Sequence, residues 1–177
     1  ENTIISIGRL THQKNFNFLI MAFKEINKKY PNLNLVILGD GEEMNKLKNL
    51  IKKINLEEKI FLVGYKKNVY DYLKNSKMFV LTSLWEDPGF VLIEAAYMNK
   101  TVLSSDCLNG PKELLENEKN GFLFKSNSLT NFLNKFEGIM NADKKLLFKK
   151  KVSFKKKIKE FTLLNHYKIL NSLLIQK

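Results

Sequence analysis

T-I-I-S-I-G-R-L-T-H-Q-K-N-F-N-F-L-I-M-A-F-K-E-I-N-K-K, residues 3–29, decides the architecture. Residues 3–7 form an apolar, largely β-branched run stopped by Gly8, and after a polar loop Phe16, Leu19, Ile20, Phe23 and Ile26 recur at helical spacing. The order is strand, loop, helix, and the chain repeats it. Tyr30-Pro31-Asn32 breaks the helix, residues 33–38 read as a second strand ending at Gly39-Asp40-Gly41, and residues 44–54 as a second amphipathic helix. Further strands are expected at 60–63, 78–82, 101–104 and 121–124, with helices at 69–75 and 91–98. Continuous apolar strands alternating with helices imply a parallel sheet covered on both faces, joined by right-handed crossovers. The expected fold is therefore α/β, a doubly wound parallel sheet of Rossmann-like type.

A length of 177 residues and a hydrophobic content of 44% suit one domain of ordinary size. The apolar stretches fall well short of the ~20 residues that span a bilayer, so no transmembrane helix is expected. The chain opens on Glu1, and a strand follows at once without a charged and apolar leader, which reads as part of a longer chain. Cys107 is the single cysteine, so an internal disulfide is excluded and a reducing, cytoplasmic location is expected.

The formal charge of +12 admits nucleic acid, an anionic membrane surface or phosphorylated ligands as partners. Composition argues against the first. Arg9 is the one arginine, whereas domains that read nucleic acid use arginines and interleaved aromatics as well as lysines; the abundance of lysine and asparagine resembles coding bias. Residues 144–159 hold nine lysines and no acid. They read as helical and, with an apolar stripe running from Leu146, Leu147, Val152, Phe154 and Ile158 to Phe161, Leu164, Tyr167, Leu170, Leu173 and Leu174, should pack through one face. This divides the chain into an α/β domain, 1–142, and basic carboxyl-terminal helices, 143–177.

In doubly wound sheets the ligand crevice lies outside the carboxyl ends of the strands. The loops 8–14, 39–43, 64–65 and 83–89 all follow strands and should converge there. The first of them is neither G-x-G-x-x-G nor G-x-x-x-x-G-K-[ST], so hydride transfer loses support. It does carry Arg9 and Lys14, a forked guanidinium and a mobile ammonium suited to a diphosphate; a surface salt bridge or a solvated loop is the alternative. Glu86 and Glu94 are separated by seven residues. Glu86 sits in a loop after an apolar strand, and Pro88-Gly89 opens the helix that carries Glu94. Free backbone N–H groups of Gly89, Phe90 and Val91 would then make an anion site, flanked by two carboxylates able to accept from vicinal hydroxyls. The alternatives are a favourable acid near a helix start for Glu94 and a solvated loop for Glu86.

The Gly39-Asp40-Gly41 turn could lie against a base ring, although the backbone freedom of glycine suffices to explain it. His12 and His166 lie far apart and no metal-ligand spacing occurs, so neither metal nor thiol chemistry is expected. Trp85 reads as a partly buried core aromatic, with a wall of the pocket next to Glu86 as the alternative.

I-S-I-G-R-L-T-H-Q-K-N, V-I-L-G-D-G-E-E, V-G-Y and T-S-L-W-E-D-P-G-F-V-L-I-E-A-A together resemble the carboxyl-terminal domain of the GT-B glycosyltransferases of family four, with its E-x7-E motif. The ordered blocks span about residues 3–124. The resemblance implies half of a GT-B fold, with an amino-terminal domain contributing the acceptor site and the final helix crossing back to it. It implies that Arg9 and Lys14 contact the donor diphosphate, that Gly89, Phe90 and Val91 supply backbone contacts, that Glu94 binds ribose hydroxyls and that Glu86 contacts the transferred sugar. Gly8, Gly39, Gly41 and Gly64 would line the nucleotide, with the loop 39–42 and the end of the third strand flanking the base. Many relatives have glycine directly after the first glutamate, whereas this chain has Asp87-Pro88-Gly89. The implied activity is retaining transfer from a nucleotide sugar, expected to be UDP-linked, to a glycan or lipid-linked acceptor, with no separate cofactor. Two alternatives are a nucleotide-sugar-binding relative with other chemistry, and a basic module that binds nucleic acid or sits peripherally on the inner face of a membrane.

Overall fold

The structure, a computed structural model, describes residues 2–175. Six strands, β1 (Thr3–Ile7), β2 (Asn34–Leu38), β3 (Ile60–Gly64), β4 (Met78–Leu81), β5 (Thr101–Ser105) and β6 (Phe122–Phe124), form one sheet in the order β3-β2-β1-β4-β5-β6. Every pairing is parallel. The expected doubly wound architecture is present, and the strand order reverses between β1 and β4.

The described residues form the helices α1 (Phe16–Lys29), α2 (Met44–Lys53), α3 (Val69–Lys74), α4 (Phe90–Tyr97), α5 (Pro111–Leu114), α6 (Leu129–Met140), α7 (Lys144–Lys157) and α8 (Leu163–Ile175), of which α1 to α4, α6 and α7 pack on the sheet's two faces. The strands feed two cores because side chains alternate across a pleat. Ile4, Met78, Val80 and Leu103 join the layer under α1, α2 and α6. Ile5, Ile7, Phe79, Leu81 and Val102 join the layer under α3, α4 and α7. Both faces are covered, so the strands read as unbroken apolar runs.

The first core is rich in phenylalanine. Phe124 and Phe132 meet edge to face with centroids 4.9 Å apart, and Phe18 lies 5.7 Å from Phe132. Full burial of such a side chain contributes roughly 1.5–3 kcal/mol. α6, which the periodicity reading passed over, seats Phe132, Phe136 and Ile139 in this core and is opened by Ser128, whose Oγ accepts from the Asn131 N–H at 3.3 Å.

The basic segment divides in two. α7 packs on α4 and β5, with Phe154 wholly buried in the second core and Ile158, at the start of a 3-10 turn (Ile158–Phe161), buried beside it. The expectation of one-sided packing holds there. Along α8, Tyr167, Leu170 and Leu174 are exposed in this chain; the side chains of Leu164 and Leu173 lie outside the described residues. α8 contacts the 3-10 turn that follows α7.

Candidate functional site

The carboxyl ends of β1 and β4 are adjacent at the point where the strand order reverses, and there the predicted loops meet. Gly8 N–H donates to Leu38 O at 3.0 Å, Leu10 N–H to Asp40 O at 2.9 Å, and Gly39 N–H to Gly64 O at 2.9 Å. The loops after β1, β2 and β3 are thereby tied together. Their contact is intimate: a Cβ on Gly39 would fall 1.8 Å from Gly8 O, and one on Gly41 would fall 2.6 Å from Leu10 O. Both glycines are explained by this approach of backbone to backbone.

Across the switch point, Leu84 N–H donates to Gln13 O at 2.8 Å and Gln13 Nε2 to Trp85 O at 2.9 Å. Thr82 Oγ1 donates to Lys14 O at 3.0 Å. This stitching delivers Lys14 Nζ to Glu86 Oε1 at 2.6 Å, and Ser83 Oγ donates to the same oxygen at 2.5 Å. Glu86 is almost fully buried, with 4% of its side chain exposed against 12% for Lys14. The Lys14 stem crosses Gly8, where an added Cβ would meet its carbons at 3.2 Å. Glu86 N–H donates to Leu108 O at 3.1 Å, and the Asp87–Pro88 peptide is cis. Gly89 then opens α4, whose first intrahelical bond runs from Leu92 N–H to Gly89 O at 2.9 Å; the amides of Gly89, Phe90 and Val91 precede it, as an anion site requires.

Two hollows flank this centre. Gly8, Arg9, Gly39 and Asp40 line one of about 360 Å³ with Tyr65, Lys66 and Val69. Glu94 lines the other, about 330 Å³, with Tyr70, Ile93, Tyr97 and Lys155. The start of α3 contributes to both, Val69 to the first and Tyr70 to the second. Arg9 is exposed, and its guanidinium has no hydrogen bond or ion pair among the described residues. The Glu94 carboxylate likewise takes none, and partial burial pushes its pKa above the usual glutamate value.

A family profile described as "Glycosyl transferases group 1" matches residues 1–161. The chain belongs to the group 1 glycosyl transferases. An uncharacterized glycosyltransferase of Methanocaldococcus jannaschii is 51% identical over 116 residues, covering 66% of this chain and 29% of that protein. The Campylobacter jejuni enzyme named N-acetylgalactosamine-N,N'-diacetylbacillosaminyl-diphospho-undecaprenol 4-alpha-N-acetylgalactosaminyltransferase is 33% identical over 144 residues, 81% of this chain and 39% of the enzyme. The crystal structure of a Staphylococcus aureus TarM mutant with fondaparinux, alpha-GlcNAc-glycerol and UDP superposes with a TM-score of 0.83 at 28% identity, covering 90% of this chain and 32% of that one. The chain thus spans well under half the length of these relatives, and the GT-B type of Rossmann-like domain is shared.

In this group 1 domain the predicted residues fall into three groups. Gly8, Lys14, Glu86, Gly89, Phe90 and Val91 cluster at the switch point; Arg9, Gly39, Gly41 and Gly64 lie at the neighbouring strand ends; Glu94 faces the second hollow. Lys14 turns toward β4, while Arg9 lines the hollow beyond β1. Trp85 is corrected from core aromatic to rim residue: it is 45% exposed, bridges to Leu108 through the backbone, and sets its ring 6.2 Å from that of His12. Its strand has already ended at Leu81, so no sheet covers it. Sequence reading missed Ser83, Tyr65 and Tyr70. Ser83 carried a usable signal, a small hydroxyl just past an apolar strand and three residues before the acid.

Cys107 is buried, and burial pushes its thiol pKa up, which keeps it in the unreactive protonated form. No helix among the described residues is long and apolar enough to cross a membrane, and no group of three potential metal-ligating side chains occurs among them.

Proposed function

We propose that this chain is the donor-binding domain of a retaining glycosyltransferase of family four, which moves a sugar from a UDP-sugar to a glycan or lipid-linked acceptor in surface polysaccharide or glycoconjugate synthesis. The carrying observation is the meeting of Lys14 and Glu86 at the β1/β4 switch point, 2.6 Å apart and beside the first amides of α4. Brought to this chain, the UDP in the TarM complex and the diphospho-undecaprenol in the name of the Campylobacter enzyme support the donor and the acceptor class.

The chemistry follows from charge. The donor's glycosidic bond breaks through an oxocarbenium-like state, negative charge grows on the leaving diphosphate, and the acceptor arrives on the leaving-group face. Lys14 has three ammonium hydrogens, of which Glu86 takes one, so two remain for phosphate oxygens. Arg9 and the amides of Gly89, Phe90 and Val91 supply further donors that need no reorganisation as that charge appears. Glu86 accepts from a hydroxyl of the transferred sugar. Glu94 accepts from the ribose, and the hollow lined by Gly39 and Tyr65, next to Gly64, holds the base.

An amino-terminal domain that supplies the acceptor site would also cover the exposed Tyr167, Leu170 and Leu174 of α8. Peripheral contact with an anionic membrane is supported by the outer side of α7, where Phe148 is exposed among Lys144, Lys145 and Lys149. Not all of the basic run is available for it, because Lys150 donates to Gly121 O at 3.1 Å and Lys157 pairs with Glu116 at 3.4 Å and Glu160 at 2.6 Å.

Calorimetry against UDP, GDP and ADP, then against their sugars, tests the reading. UDP should bind and the other two bind more weakly; no heat with any diphosphate would refute it.

A further inference from the structure

We propose that Ser83 is the positioning residue that fixes which oxygen of Glu86 meets the donor sugar. The inference rests on the reading of Glu86 as a sugar contact and adds a residue to it. Ser83 is wholly buried, and its backbone carbonyl is pinned by Ser105 Oγ at 2.7 Å, so the hydroxyl is presented from a fixed point on the sheet edge. That hydroxyl donates to Glu86 Oε1 at 2.5 Å, and Lys14 donates to the same oxygen at 2.6 Å.

An ionised carboxylate only accepts hydrogen bonds, so two donors converging on one oxygen set its rotation about the last side-chain bond. Oε2 accepts from nothing among the described residues. Nor is it sealed in: the wholly enclosed polar side-chain atoms without a partner are Thr11 Oγ1, Asn27 Oδ1 and Asn120 Oδ1. The second oxygen therefore reaches open space. The Glu86 stem lies against Gly89, the residue that opens α4, whose added Cβ would stand 3.6 Å from Glu86 Cβ and Cγ. The division of labour is one inward oxygen held by protein donors and one outward oxygen for a hydroxyl.

Lysine alone does not enforce this division. Its ammonium is a point charge on a flexible stem and can follow either oxygen, whereas the serine hydroxyl comes from a buried, hydrogen-bonded backbone. Ser83→Ala should leave the ion pair in place and release the rotation of the carboxylate.

The test is a double-mutant cycle in the intact protein that carries this chain, with UDP affinity measured beside turnover of the UDP-sugar. Ser83→Ala is expected to lower kcat about tenfold, the scale of one hydrogen bond to a charged group, and to change the Kd of UDP, which has no sugar, by less than about twofold. In a Glu86→Ala background the same substitution should change the residual kcat by less than about twofold, because Ser83 acts through that carboxylate. Equal losses in both backgrounds, loss of UDP binding, or normal kcat in Ser83→Ala would each overturn the proposal. Normal turnover by Glu86→Ala alone would instead overturn the assignment of Glu86, and the role of Ser83 with it.

Discussion

Lys14 Nζ lies 2.6 Å from Glu86 Oε1, and this pair ties the loop after β1 to the loop after β4 with both side chains largely withdrawn from water. Removing one partner of such a pair leaves an uncompensated buried charge, which typically costs about 3–5 kcal/mol, whereas replacing both by apolar groups is often neutral. Lys14→Met should therefore destabilise the protein by about 3 kcal/mol, and Lys14→Met with Glu86→Leu should restore most of the loss. Denaturant midpoints of the two variants decide it. A Lys14→Met cost below about 1 kcal/mol would show that Glu86 relaxes into solvent.

The four loops that build the site are held at their glycines by two different constraints, and mutation separates them. Gly39 has φ 138° and an added Cβ would fall 1.8 Å from Gly8 O, so Gly39→Ala must separate β1 from β2 at the crevice. Gly64 has φ 77° but nothing within 4 Å of an added Cβ, so Gly64→Ala meets only the left-handed backbone penalty, about 1–2 kcal/mol. Gly39→Ala should cost more than about 4 kcal/mol or prevent folding, a range reserved for severe clashes. Thermal melts of both variants, compared at one pH, test the order; equal shifts would contradict it.

Much of this arrangement was legible because it rests on local rules. Strand ends read from Gly8, Gly39 and Gly64, and helix starts read from Phe16, Met44 and Pro88-Gly89, fall within about two residues of the structure, since turn chemistry and apolar periodicity act over short distances. The contacts across the switch point were not legible. That Lys14 turns to Glu86 rather than standing beside Arg9 depends on hydrogen bonds between residues 72 apart in sequence. Glu94 shows the same limit: a spacing of seven from Glu86 says nothing about which side of α4 its carboxylate leaves. α8 shows a further limit, because an apolar stripe announces a buried face without saying which domain buries it.

α7 offers a third test, since several of its lysines face outward while its apolar side packs into the second core. Phe154 is wholly buried in the second core between α4 and β5, so Phe154→Ala should cost about 3–5 kcal/mol in transfer and cavity terms. Lys156, exposed two residues away, should tolerate Lys156→Ala within about 0.5 kcal/mol. Urea titration of both variants separates an integral helix from a dispensable tail. Comparable, small changes would mean that α7 is loosely attached.

Glu94 gives the domain a pH signature whose sign is set by burial. Its carboxyl is partly withdrawn from water and takes no hydrogen bond or ion pair among the described residues, so burial raises its pKa in the folded protein above the unfolded value near 4.5. Across that interval the folded state binds the proton more tightly than the unfolded chain, hence stability falls as pH rises from about 4.5, and the loss is complete once pH exceeds the folded pKa. Below both values the group contributes nothing. Glu94→Gln removes the ionisation while keeping the shape, so the variant should match the parent near pH 4 and become the more stable of the two toward pH 7. Other carboxylates titrate in the same range, but they cancel when variant and parent are compared at each pH. Melting temperatures of the pair across that span supply the measurement. If the difference stays flat with pH, or grows toward acid, then Glu94 is solvated or paired with a cation. If it grows toward neutrality, the carboxylate is held charged at a cost in stability, and a ribose hydroxyl in the adjoining hollow would give it the donor it lacks.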